Sequence, residues 1–360
     1  MNDLYCVVMA GGKGERFWPC SRENTPKQLQ NIIGRETLIE QTVLRLVPLA
    51  PFENILIVTN RKYVDQIRLL LPQLPPENII GEPCGRDTAP CAALAAGIIR
   101  QKSGSENAVM ALMPADQCIH DVASLQRDLA RCCRYASAHP VLATIGINPT
   151  LPSPDYGYIE CGKLIENGLY EGKRFVEKPS REKAMELLAD GRFKWNSGIF
   201  VWKVETLLNI MRRCAPDLNE MVQRIEASWG TAEFEDVLNS QYEHCRKISI
   251  DYAIMEKAEN IVVQEAGFDW DDIGNWTSLR NHFDVDSTDN VAVGKFETLN
   301  ARNCIAFSND PKHLTCAIDA ENLIIVHTKD VTLVCNKNST GKIKQFLEQL
   351  KDKDELKGYL

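Results

Sequence analysis

Leu4-Tyr5-Cys6-Val7-Val8-Met9-Ala10-Gly11-Gly12-Lys13-Gly14-Glu15-Arg16 sets the architecture of the N-terminal half of the chain. Leu4–Ala10 is an apolar run of strand length, and it ends in a loop carrying three glycines. Those glycines let backbone approach a ligand closely and turn N–H groups toward anionic oxygens, with Lys13 and Arg16 supplying charge beside them. Alone, such a loop reads more readily as a turn between strand and helix than as a site. Further runs at Asn54–Thr59, Ala108–Met113 and Val141–Ile147 alternate with amphipathic stretches at Glu36–Val47, Arg61–Leu71, Thr88–Arg100 and Ser124–Ala138. That alternation predicts an α/β fold with a mixed, mostly parallel sheet flanked by helices.

Beyond Pro154 the order is less regular. Strands are predicted at Tyr156–Cys161, Lys173–Glu177, Gly198–Lys203 and Ile261–Gln264, as additions to the same sheet, with helices after Pro179 and Pro216. A polar stretch, Asp284–Asn290, precedes short strand-like pieces at Asn290–Phe296, Cys304–Phe307, Leu323–His327 and Val331–Cys335. Thr340–Lys351 places Ile343, Phe346, Leu347 and Leu350 on one helical face. The expected division is a domain over 1–283 and a small β-rich tail over 284–360 closed by that helix.

Composition excludes several classes. The chain has 360 residues, 44% apolar and 25% charged, enough for a sizeable core and about two domains. Its net charge of -8 and the lack of a Lys/Arg block argue against nucleic acid as a partner. No apolar run approaches the ~20 residues of a membrane span and no basic leader precedes Leu4, so a cytoplasmic protein is expected. Thirteen scattered cysteines without a Cys-x-x-Cys pair, and six histidines not grouped at ligand spacing along the sequence, support neither a disulfide framework nor a zinc site.

The glycine loop fits neither common phosphate motif. Phe17 stands where a dinucleotide fingerprint needs its third glycine, and the Gly-Lys-Ser/Thr ending of a P-loop is missing. The segment after the loop is more specific. Pro19-Cys20-Ser21-Arg22-Glu23-Asn24-Thr25-Pro26-Lys27-Gln28 stays extended, because proline disfavours helix at the preceding residue, so Lys27 can return toward the loop. Gly-Gly-x-Gly-x-Arg, then Pro, Ser-Arg and Pro-Lys-Gln, resembles the sugar-1-phosphate nucleotidyltransferases, in the guanylyltransferase branch that makes GDP-mannose. The resemblance continues in order through Glu82-Pro83-Cys84-Gly85-Arg86-Asp87-Thr88-Ala89-Pro90, Met113-Pro114-Ala115-Asp116, Phe175-Val176-Glu177-Lys178-Pro179, Trp195-Asn196-Ser197-Gly198, Ser249–Lys257 and Phe268–Trp276. It covers roughly the first 276 residues. The implied fold is a Rossmann-like (GT-A-like) nucleotidyltransferase domain, and residues 285–336 loosely resemble the short β-helical tail of these enzymes, with homodimer contact as its expected role.

The implied reaction is attack by the phosphate of mannose 1-phosphate on the α-phosphorus of GTP, expelling pyrophosphate with Mg2+ as helper. Ala10, Gly11, Gly12, Lys13, Gly14, Arg16 and Lys27 would hold the triphosphate, with Lys27 on the reacting phosphate. Asp116, just past a strand end where α/β sheets bind ligands, and Asp272 are the implied metal carboxylates. Adjacent Asp271 is set aside because neighbouring side chains diverge. Glu82 could accept the N1–H and amine of guanine together. Arg86, Asp87 and Thr88 belong to the same binding loop; the first two read alternatively as an internal ion pair, and Thr88 before Pro90 as a helix cap. Gly157, Glu177, Lys178 and Asn196 form the implied sugar site, with Glu177 and Asn196 on hydroxyls and Lys178 on the sugar phosphate; Arg16, Lys27 and Lys178 are the implied catalytic charges.

Three rivals compete. The same chemistry could act on a fucose, heptose or glucose 1-phosphate; the chain could be an inactive nucleotide-binding regulatory module, against which both carboxylates argue; or it could be a dehydrogenase, which the missing third glycine disfavours. An isomerase activity of the kind carried by longer relatives is not expected without a His-rich metal motif.

Overall fold

Leu4–Ala10 forms strand β1, buried along almost its whole length because parallel neighbours flank it on both sides. These neighbours are β2 (Ile55–Asn60) and β4 (Val109–Pro114), and β3 (Ile79–Glu82) pairs beyond β2. The computed structural model describes residues 3–360. Its contacts divide the chain into two units. The first holds the chain up to Gly11, Thr42–Ala115 and Ile119–Trp270; the second holds Gly12–Gln41, Asp116–Cys118 and Asp271–Leu360.

In the first unit, β5 (Leu142–Ile147), β6 (Tyr158–Glu166), β7 (Leu169–Val176), β8 (Phe193–Lys203) and β9 (Ile261–Glu265) complete a nine-stranded sheet of order β3-β2-β1-β4-β8-β5-β9-β7-β6. Following the pairings outward, β1 to β6 and β9 run one way and only β7 and β8 oppose them, so the sheet is mixed but mostly parallel in direction. The later strands do extend the N-terminal sheet.

Register then decides what meets at each edge. Ala10 pairs with Thr59, Asn60 with Glu82 and Met9 with Pro114, so Gly11, Glu82 and Ala115 leave the sheet at one carboxyl edge. Tyr158 pairs with both Val176 and Trp195, which brings Gly157, Glu177 and Asn196 together. The helix Thr88–Ser103 is apolar all round and buried from Ala89 to Ile99, as a helix enclosed by sheet and helices must be. Gly97 lets the helix Pro216–Ser228 approach, since a Cβ there would lie 2.8 Å from the Val222 carbonyl oxygen. Among the described residues, no helix is long and apolar enough to cross a membrane.

The second unit contains β10 (Val291–Val293), β11 (Lys295–Leu299), β12 (Ile305–Ser308), β13 (Leu314–Ile318), β14 (Leu323–His327) and β15 (Thr332–Asn336). β10, β12 and β14 stack in parallel with Val291, Ile305 and Ile324 in register, β15 closes that sheet antiparallel, and β11 and β13 form a second parallel pair. Such successive parallel turns are the repeat of a β-helix. The predicted strand Asn290–Phe296 is in fact two strands. Gly294 breaks it at φ 95°, in the left-handed region, where a Cβ would lie 2.7 Å from the Ser308 carbonyl oxygen.

The core of this unit joins Val291, Ile305, Phe307 and Ile324 to Phe17, Trp18 and Ile32 after the glycine loop, to Trp276, and to Ile343, Leu347 and Leu350 of the helix Ile343–Lys351. Trp18 Nε1 donates to the Tyr359 carbonyl at 2.7 Å, Trp276 Nε1 to the Trp18 carbonyl at 3.1 Å, and Arg22 Nη1 to Asp330 Oδ2 at 2.8 Å. The residues after the glycine loop are thus built into the fold of the tail.

Candidate active site

Gly14 sits at φ 64°, which glycine alone adopts without strain, and its Cα rests on Lys27 so closely that a Cβ would lie 2.2 Å from Lys27 Cβ. That turn sends Lys27 inward, where it is 4% exposed. Its Nζ donates to Asp116 Oδ2 at 3.0 Å and to the Asp272 carbonyl at 2.8 Å, 5.5 Å from the Phe17 ring centroid. A buried ammonium requires such partners. The two aspartate segments are brought together by backbone: Cys118 N–H donates to the Asp271 carbonyl at 2.9 Å, and Asp271 N–H to the Cys118 carbonyl at 3.1 Å. Lys27, Asp116 and Asp272 therefore gather within the second unit.

Asp271 has a different task. Its carboxylate accepts from the Ile273 N–H at 2.7 Å, Asn281 Nδ2 at 2.6 Å and His282 Nε2 at 3.1 Å. Burial would raise its pKa, but these bonds hold it below the usual carboxylate range. Burial would likewise lower the His282 pKa, and bonds to Asp271 and Cys118 instead lift it to about 9. The carboxylate pins a turn in which Ile273, a β-branched residue, adopts φ 45° directly after Asp272. Gly274 comes next; a Cβ there would lie 3.2 Å from Asp272 Oδ2 and 3.6 Å from Arg16 Nη1. Arg16 and Gly12 are exposed, and Lys13 Nζ faces Glu23 at 3.9 Å.

Within the first unit, Ala10 is buried and its carbonyl accepts from Thr59 Oγ1 at 2.9 Å, while Gly11 is exposed. Glu82, 5% exposed, has Oε2 only 3.3 Å from where a Gly11 Cβ would be, and Oε1 accepts from the Tyr242 hydroxyl at 2.8 Å. Burial pushes its carboxyl up to about 7 against the lowering effect of that hydrogen bond. Arg86 and Asp87 do not form the ion pair that their adjacency suggests. Arg86 reaches the carbonyls of Tyr242 at 2.8 Å and Glu243 at 3.1 Å, satisfying the end of the helix Phe234–His244. Asp87, at φ 72°, is itself the cap of the next helix through the Thr88 N–H at 2.8 Å, and Thr88 Oγ1 accepts from the Ile250 N–H at 2.8 Å.

Gly157, Glu177, Lys178 and Asn196 also meet in this unit. A Cβ on Gly157 would strike Glu177 Oε2 at 2.4 Å, the Gly157 carbonyl accepts from the Asn196 N–H at 2.8 Å, and Lys178 Nζ pairs with Glu177 Oε1 at 3.3 Å. Burial raises the Glu177 pKa, with Lys178 opposing. Asn196 is fixed at both ends: Nδ2 donates to Asp251 Oδ1 at 2.9 Å, and Oδ1 accepts from Thr144 Oγ1 at 3.3 Å and the Gly198 N–H at 3.2 Å. Sequence reasoning assigned no role to Asp251 or Tyr242. Asp251 was visible as a lone charge among Ser249–Ala253, and burial pushes it up to about 7, with the Glu177 charge adding to the rise. Tyr242 carried no signal.

Comparison with known proteins agrees with the fold. Residues 5–288 match the Nucleotidyl transferase family, and residues 294–350 match the MannoseP isomerase/GMP-like beta-helix domain. The chain is 35% identical over 354 residues to a mannose-1-phosphate guanylyltransferase of Escherichia coli and to one of Klebsiella pneumoniae, each match covering 97% of this chain and 74% of the relative. It is similar to a solved structure from Thermus thermophilus described as a mannose-1-phosphate geranyltransferase, with TM-score 0.87 and 33% identity, over 97% of this chain and 99% of that one. The chain belongs to the nucleotidyl transferase family, in the branch of the mannose-1-phosphate guanylyltransferases, a family that transfers nucleotides to sugar 1-phosphates.

Proposed function

We propose that the chain transfers the guanylyl group of GTP to α-D-mannose 1-phosphate, giving GDP-mannose and pyrophosphate. The observation that carries this reading is the set of bonds made by Lys27, whose buried ammonium joins the Asp116 carboxylate to the backbone at Asp272. One oxygen of the sugar phosphate attacks the α-phosphorus in line as the bond to the bridging oxygen of pyrophosphate breaks. No proton need move, so the protein's work is alignment and charge neutralisation.

In the second unit, Gly12, Lys13, Gly14 and Arg16 grip the triphosphate, and Lys27 neutralises the reacting phosphate. In the first, Ala10 and Gly11 present backbone, Glu82 reads guanine within the loop held by Arg86, Asp87 and Thr88, Glu177 and Asn196 bind mannose hydroxyls beside Gly157, and Lys178 neutralises the sugar phosphate. Asp116 and Asp272 offer the hard carboxylate oxygens that Mg2+ prefers, and Gly274 leaves the Asp272 carboxylate uncrowded, so the donor set fits that ion. Magnesium bound there would supply charge stabilisation to the phosphates.

We place the chain in the cytoplasm, where nucleoside triphosphates are held, and as a homodimer through the exposed Leu299, Leu314 and Ile318 of β11 and β13, with sedimentation as the check. Pyrophosphate release across a panel of sugar 1-phosphates and nucleoside triphosphates tests the substrates. GTP with mannose 1-phosphate is expected to lead by at least about tenfold in kcat/KM, and a smaller lead would overturn the assignment.

A further inference from the structure

Tyr242 lies on the helix Phe234–His244, fully buried, yet its hydroxyl is spent on one carboxylate oxygen of Glu82. The two residues are 160 positions apart, and the arrangement is reinforced from the Glu82 side. Four residues after Glu82, Arg86 binds the carbonyls of Tyr242 and Glu243, and Cys84 Sγ also approaches the Tyr242 carbonyl at 3.9 Å. The loop that carries Glu82 thus clamps the backbone that carries the phenol. An ionised carboxylate offers about four lone-pair positions, and one phenol proton occupies only one of them. Glu82 Oε2 meanwhile lies over Gly11 at the carboxyl edge of the sheet.

We propose that Tyr242 is a positioning residue for nucleobase selection: its hydroxyl fixes the plane of the Glu82 carboxylate so that the remaining lone pairs face a purine presenting a ring N–H beside an exocyclic amine. This rests on Glu82 as the base reader. Tyr242 touches no substrate and acts through Glu82 alone. Its effect therefore falls on affinity for the nucleotide and on discrimination between bases, leaving the phosphoryl step and the sugar untouched.

The test compares Tyr242→Phe, Glu82→Gln and the double variant with GTP and with inosine triphosphate, which lacks the amine. Tyr242→Phe is expected to raise KM for GTP about five- to tenfold and to narrow the GTP preference, with kcat and KM for mannose 1-phosphate within about twofold of the parent. The double variant should match Glu82→Gln in KM for GTP. A second double variant, Tyr242→Phe with Glu82→Met, replaces both partners by apolar groups and keeps the question answerable if Tyr242→Phe alone folds poorly, since it should match Glu82→Met in KM for GTP. If Glu82→Gln raises KM for GTP while Tyr242→Phe does not, or if the two effects multiply in the double variant, the positioning role is wrong. If Glu82→Gln leaves GTP affinity and base preference intact, the assignment of Glu82 itself fails instead.

Discussion

Gly14 and Lys27 meet backbone to backbone: a methyl group on Gly14 would lie 2.2 Å from Lys27 Cβ and 3.0 Å from Lys27 N, at a residue already held at φ 64°. Gly12, two residues earlier, has nothing within 4 Å of the same point. Gly14→Ala is therefore expected to displace Lys27, lower Tm by several degrees and cut kcat by about 10²-fold, as small misplacements of catalytic groups do. Gly12→Ala should leave Tm unchanged and raise KM for GTP, because its missing side chain leaves room for ligand. Thermal melts with GTP kinetics separate the two, and equal Tm losses would contradict the contact.

Asp116→Asn and Asp272→Asn are each expected to lower kcat by about 10³-fold or more while the protein stays folded. In Asp116→Asn the new amide keeps a neutral acceptor oxygen that can still bond Lys27, so folding is retained and the loss reports charge. Pyrophosphate release against Mg2+ concentration is the measurement. Undiminished turnover in either variant removes that residue from the proposed metal site.

Glu82 supplies the pH dependence. Burial raises its carboxyl to about 7 in the folded protein, and the proposed reading of guanine needs it ionised, so KM for GTP should fall as pH rises from about 6 to 8, with Glu82→Gln flat across that range. Stability moves oppositely. The folded protein binds this proton more tightly than the unfolded chain, so the contribution is fully present below the unfolded value of 4.5 and is lost as pH rises through about 7. Urea midpoints should therefore decline between about pH 5 and 8 more steeply in the parent than in Glu82→Gln.

Leu347, 6% exposed in the helix Ile343–Lys351, shares one core with Phe17 and Trp18. Leu347→Ala should cost about 2–4 kcal/mol by the usual cavity penalty and, unlike a change elsewhere in the tail's surface, raise KM for GTP. Denaturant unfolding and kinetics at matched temperature would show whether both effects occur together.

Much of this was legible because it was local. β1 and its glycine loop could be read from adjacent residues, and the mixed sheet from strand-length apolar runs. What escaped was short or depended on distant partners. β3 has only four residues, and the helix Phe234–His244 carries few apolar positions, so neither stood out, and Tyr242 went with the latter. Arg86 and Asp87 looked like a pair because sequence shows charge but not direction; backbone carbonyls and a helix N-terminus claimed them separately. The family pattern named Lys27, Asp116 and Asp272 individually. That Lys27 bonds Asp116 across 89 positions, over a glycine shaped to admit it, is set by the tertiary fold and leaves no local trace in the chain.

The bond from Trp18 to the Tyr359 carbonyl closes a loop of 341 residues around the chain. During synthesis, the stretch just after the glycine loop leaves the ribosome well before Tyr359, and its indole waits across those 341 positions for this partner. Contacts of such separation form late and slowly. A chain cut short before the helix Ile343–Lys351 would keep all nine strands of the first unit yet leave Phe17 and Trp18 without part of their core, so the proposed grip on triphosphate leans on residues far along the chain.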